Sequence, residues 1–281
     1  MTTTTAPRLD VAPVTLPRAL KAEWIKFWSL RSSYWVIAAT LLAMIFLPSM
    51  MGLAALTMTE TDAAEAEMFG LDSTLVIGVS YAMAQLAIAV LGVLIITGEY
   101  STGMIRSSFA AVPTRWPVLV SKAVVITLIA FVTGVVGVGL AYLVTAPMLG
   151  NIGGPASLTD PDTLQVFWGT GLYFVGVALL SLAIGALLRH TAGAVATSLG
   201  VFFLLPIIAQ LVGAWIDFVA RISPYLPPTA GEQIIMSPPE DPMMQGMGVT
   251  MLSPWAGIGV LGLYVVVLFT LALVLLRRRD A

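Results

Sequence analysis

Long apolar runs dominate the chain. Six stand out: Tyr34–Thr57, Thr74–Thr97, Val118–Val144, Gln165–Leu188, Gly193–Gly213 and Pro254–Leu276. Each is about 20 residues or longer, the length a helix needs to cross a hydrocarbon core of about 30 Å. The pattern predicts an all-α polytopic membrane protein with six transmembrane helices over residues 34–276. A seventh element precedes them. Leu20, Trp24, Phe27 and Trp28 recur at helical spacing, with Lys21, Lys26 and Arg31 interspersed. That pattern predicts an amphipathic helix over 16–33, lying in the membrane interface with its aromatic rings at headgroup depth.

The polar connections carry the orientation. Of 13 Lys and Arg residues, all but Arg221 fall before the first run, between the second and third or at the very start of the third (Lys122, read as a flanking charge), between the fourth and fifth, or after the sixth. Eleven of the 15 acids lie in the other connections, among them Asp72, Asp160, Asp217 and Glu232. Basic residues mark the cytoplasmic side. Both termini are therefore expected in the cytoplasm of a cell whose plasma membrane holds the chain. Residues 1–15 are rich in Thr and Pro and read as a disordered tail; 277–281 form a short basic tail. The polar leader is too long for an ordinary signal peptide, so the first run is expected to stay as an anchor.

Composition narrows the chemistry. The chain is 58% hydrophobic and 10% charged, with no Cys. Disulfides and thiolate metal sites are excluded, and the thin spread of basic residues argues against nucleic acid. His190 is the only histidine and adjoins Arg189 in a short turn, where a polar residue ending a helix explains it. Met236, Met243, Met244, Met247 and Met251 suggest soft copper ligands, but neither Cys nor His accompanies them, and Met is also a flexible filler. No phosphate-binding loop, zinc-protease motif or nucleophile elbow occurs. No ionisable residue is expected near the middle of a span, which argues against a proton-coupled carrier. Pro48 and Pro206 are positioned to kink the first and fifth spans. Small residues, including Gly134, Gly137, Gly176, Ser181, Gly185 and Gly257, suit close helix packing within the chain or between subunits.

Two connections are informative. The segment 214–253 is long for an unstructured loop and is expected to hold short helices or re-entrant pieces on the outer side. The inner segment 98–113 is more specific. Gly98 and Gly103 bracket an expected break, and a short helix from about Thr102 stops before Pro113. Met104, Ile105, Ser108 and Phe109 supply an apolar side, and Arg106 a polar contact. Glu99 is the only acid on the inner side between the two tails, so it needs a partner. Arg106 or another protein is the expected source.

These residues carry a resemblance. Ala22-Glu23-Trp24-Ile25-Lys26, six spans, and Gly98-Glu99-Tyr100 followed by Gly103-Met104-Ile105-Arg106 resemble permease subunits of type-2 ABC transporters. The likeness is greatest to the actinobacterial branch encoded apart from its ATPase. It implies a connecting helix at 16–31 and a coupling helix at 102–111 that docks on a cytosolic ATPase. Glu99, Thr102, Met104, Ile105, Arg106 and Phe109 become the implied coupling residues. The resemblance further implies a second permease subunit, export, and ATP bound by the partner, with no cofactor or catalytic residue in this chain. A membrane enzyme acting on lipid or prenyl substrates is one alternative; it expects clustered Asp, His or Arg at one face. A secondary carrier is another; it expects inverted repeats or intramembrane charge.

Overall fold

A computed structural model describes residues 15–59, 72–111, 115–150, 154–235 and 252–278. The N-terminal tail, the Met236–Met251 cluster and Arg279 lie outside the described residues. The described residues form helices and connections, and six helical segments are long and apolar enough to cross a membrane. The protein is an all-α, multi-pass membrane protein.

In chain order, α1 spans Leu16–Ser29 and α2, the first span, Arg31–Ala55. The second span comprises α3 (Ser73–Gly78) and α4 (Tyr81–Thr102), followed by the short α5 (Met104–Ala111). The third and fourth spans are α6 (Trp116–Thr145) and α7 (Pro161–Leu188). The fifth joins α8 (Thr191–Leu199) through a π-helical turn, Gly200–Leu204, to α9 (Leu205–Gly213). Two six-residue helices follow, α10 (Asp217–Ile222) and α11 (Pro227–Glu232), before the sixth span, α12 (Pro254–Arg278).

The fourth span lies at the centre and packs against the second, third and sixth. Close approach comes from glycine, as expected where no water drives helices together. A Cβ at Gly134 would lie 2.9 Å from the Gly171 Cα, and one at Gly92 only 2.4 Å from the Ala178 carbonyl oxygen. Gly185 faces Ile96 and Thr97 of the second span, so the Ser181/Gly185 pair is used within the chain. By contrast, a Cβ at Gly259 or Gly262 would meet open space.

Two boundaries differ from the pattern. The break before the first span falls at Leu30, which is extended, so α1 stops at Ser29 and α2 starts at Arg31. Its aromatic side is also split: Phe27 is buried in the core, whereas Trp24 stays exposed beside Trp28, their rings 5.7 Å apart. Gly98 does not break the second span. Helix α4 runs through it to Thr102, and Gly103 alone turns the chain, with φ of 74°. A left-handed residue at a helix end costs least as glycine. Pro48 sits inside a continuous α2. Pro206 instead follows the π turn, where the Leu205 N–H reaches the Gly200 carbonyl. The wider turn takes up backbone that a proline leaves without a donor.

Candidate functional site

Helices α1, α4 and α6 meet at one end of the bundle. Each contributes charge there. Glu23 and Lys26 stand three residues apart on α1, hence on one face. Glu99 lies in the last turn of α4, and Lys122 in the second turn of α6. Lys122 is fully buried and Glu99 nearly so. The Lys122 ammonium donates to Glu23 Oε2 at 2.7 Å and also to Glu99 Oε1. Lys26 donates to that same Glu99 oxygen. The order Lys26–Glu99–Lys122–Glu23 thus alternates in sign and sums to zero. Such balance is what makes the burial possible, because an unpaired buried ion costs several kcal/mol. The other Glu99 oxygen, Oε2, accepts from Ser108 Oγ of α5 at 3.3 Å.

The network corrects two expectations. Glu99 is partnered by Lys26 and Lys122, not by Arg106, which is exposed. The reason is geometric. Arg106 lies on the short helix beyond the Gly103 turn, with its side chain facing outward, while α1 brings Lys26 across the end of α4. The charge pattern alone makes Lys122 a flanking charge that only orients the third span. It is instead enclosed among helices, and with Glu23 it completes a buried network that pattern reasoning missed. A signal existed: Lys122 lies inside the apolar run Val118–Val144, where an ionisable residue calls for a partner.

The same end holds other basic groups. The Arg189 guanidinium lies 5.5 Å from the Tyr100 ring centre, a cation–π contact. Arg115 donates to the Leu276 carbonyl at 3.2 Å, tying the third span's start to the sixth span's end. His190 caps α8, its Nδ1 accepting from the Gly193 N–H at 3.2 Å, an ordinary structural use of a lone histidine. These contacts place α1 and the ends of the second, fourth and sixth spans on one face, here called the terminal face.

Helix α5 projects from that face. Its backbone leaves α4 at Gly103, and Ile105 turns inward into the core. Met104 is half exposed, and Arg106 and Ser107 are exposed. Thr102 is exposed, with its hydroxyl bonded to the Gly98 carbonyl at 2.8 Å. Phe109 belongs to the helix, but its side chain lies outside the described residues. Met104, Ile105 and Phe109 were expected to form one outward apolar side; Ile105 departs from it because it plugs the helix against the bundle. Beside the network, between α1, the start of α2 and the end of α4, lies a cavity of about 320 Å³. Glu23, Lys26, Phe27, Ser33, Gly98 and Glu99 line it. The second-span end therefore has open space on one side and a charged anchor on the other. That arrangement can hold a projecting helix firmly at its root while leaving room for the root to shift.

A family model described as "ABC-2 family transporter protein" matches residues 24–281. The match includes Lys26, Glu99, Lys122, α5 and all six spans. No curated protein matches the chain. The membrane components of that family are non-catalytic, and ATP hydrolysis belongs to a separate subunit. By a match over nearly its whole length, the chain belongs to the ABC-2 transporter family, as a permease component.

Proposed function

We propose that this permease is the membrane half of an ATP-driven exporter and that α5 is where a separate ATPase subunit docks. The observation that carries the reading is the anchoring of Glu99. A helix with exposed Met104 and Arg106 projects from the terminal face, and its root is bound by two ammonium groups and by Ser108. Force applied to such a helix passes into the second span rather than bending a loop. In this reading Glu99 holds the root, while Thr102, Met104, Ile105, Arg106 and Phe109 form or support the docking helix. The partner binds ATP, and this chain binds no cofactor. A second permease subunit, identical or different, completes the path, and membrane lipid covers the remaining apolar faces. The chain lies in the plasma membrane with both termini and α5 cytoplasmic, supported by the basic residues gathered on the terminal face.

Two experiments test this. Glu99→Ala and Phe109→Ala are expected to insert normally but to lose the ATPase in a pull-down from membranes matched for abundance. Losing one apolar anchor commonly weakens an interface by about 2 kcal/mol, or roughly thirtyfold. If both variants retain the ATPase at the wild-type level, α5 is not the docking element. Orientation is tested separately by a single Cys at Ser107, since the native chain has none. An impermeant thiol reagent should label it only after cells are opened. Labelling in intact cells overturns the cytoplasmic placement.

A further inference from the structure

A second polar cluster sits at the far end of the bundle, where α11 is lodged among the spans. Its seat is built from glycine. A Cβ at Gly169 of the fourth span would lie 2.4 Å from the Ile234 carbonyl oxygen, and one at Gly257 of the sixth span 2.1 Å from that of Ala230. Ala230, Ile234 and Ile235 are buried as a result. The end of α11 is fixed by one polar contact: Tyr81 Oη donates to Glu232 Oε2 at 2.8 Å. Tyr81 also meets the fully buried Tyr173 edge-on, with ring centres 5.3 Å apart. Tyr173 Oη in turn donates to Gln85 Oε1 at 2.6 Å. Tyr81 and Gln85 are one turn apart on α4, so the start of this helix is bonded both to α11 and to the fourth span.

The other end of α4 carries Glu99. Between Tyr81 and Glu99 the helix is unbroken, a distance of roughly 27 Å at 1.5 Å per residue. At its middle, Gly92 brings the backbone against Ala178 of the fourth span. A stiff rod held at its middle cannot move at one end without moving at the other. We propose that the Tyr81–Glu232 bond is a latch closing the far end of the bundle, released through α4 when the Glu99 network shifts. The inference rests on the coupling role proposed above for Glu99. A six-residue helix has too few backbone bonds to stand alone, so α11 depends on its seat and, for its polar tie to the spans among the described residues, on this bond. A single hydrogen bond is within reach of the differential energy an effector can supply.

Hydrogen–deuterium exchange on the full chain in lipid nanodiscs tests the latch. The readout is the set of amides from Thr229 to Ile235. Tyr81→Phe should exchange there about tenfold faster than wild type, with the fourth span unchanged. Glu99→Gln, at the opposite end, should speed the same amides several-fold. Ser107→Ala, exposed on α5, should not. If Tyr81→Phe leaves these amides at the wild-type rate, there is no latch. If Glu99→Gln disturbs only α1, α5 and the start of α6, α4 does not transmit. Faster exchange throughout the fourth span would mark general loosening and also overturn the inference. The two readings fail separately: a Glu99 variant that loses the ATPase yet keeps slow exchange at Thr229–Ile235 sinks the latch and leaves docking standing.

Discussion

The two ends of the bundle bury polar groups by different means. At the terminal face, four ionised groups alternate in sign, and each carboxylate has an ammonium beside it. At the far end Glu232 meets only a phenol, Tyr81, and no ammonium or guanidinium bonds it among the described residues. Burial pushes its carboxyl above the ordinary range, and the hydrogen bond from Tyr81 offsets this only in part. One end is thus held by mutual attraction of charges. The other is held by a single group whose charge is disfavoured where it sits. The proposed docking and latch call for a firm grip on one side and a releasable contact opposite, and the two chemistries suit those tasks.

The largest expected effect comes from unbalancing the charged end. Lys122→Met removes the central ammonium and leaves Glu23 and Glu99 with Lys26 alone. Truncating one partner of a buried ion pair commonly costs about 3–5 kcal/mol. The variant should lose a large part of its thermal stability in detergent. Adding Glu99→Gln should recover much of it, because the remaining Lys26 and Glu23 both reach solvent. A Lys122→Met protein melting with the wild type would show that the network bears no such charge.

A smaller effect belongs to the far end and has a definite sign. The folded state raises the proton affinity of Glu232, so its contribution is full below the unfolded value and is lost as pH rises through the folded one. Attachment of α11 should therefore weaken as pH climbs from the ordinary carboxylate range. Glu232→Gln should flatten that dependence. The measure is exchange at Thr229–Ile235 against pH, corrected for the intrinsic rate of a free peptide. Equal slopes in wild type and variant would show that Glu232 is not the titrating group, and the contrast between the ends would lose its basis.

The ends also differ in how far pattern reasoning reaches them. Six spans, the helix at α1 and the short α5 follow from runs of apolar residues, because burial in lipid leaves a helix few alternatives. The expected short helices in 214–253 appear as α10 and α11. The partners of Glu99 do not follow from pattern, since they depend on how α1 crosses α4 and α6, three elements far apart in sequence. The orientation rule gave Lys26, Lys122, Arg115 and Arg189 a sufficient reason to be where they are, which hid their contacts. The Tyr81–Glu232 bond was less visible still. Glu232 read as one more acid on the outer side, and only the glycine seat at Gly169 and Gly257 brings α11 deep enough to meet Tyr81.

The smallest effect concerns the joint between grip and projection. Gly103 holds φ at 74° with nothing near a Cβ placed there. Gly103→Ala therefore meets no clash and costs only the left-handed backbone, about 1 kcal/mol. Stability of the bundle should barely change, since α4 is bonded by Glu99 before the turn. The direction of α5 should change, because alanine favours continuing the helix through residue 103. Spin labels at Ser107 and at a site on α1 would then show a shifted distance in the variant, with an unshifted melting temperature. ATPase retention should fall by a factor of a few, between wild type and Glu99→Ala. An unchanged label distance with full retention would mean that the contacts of Ile105 and Ser108, rather than the glycine turn, set the angle of the projecting helix.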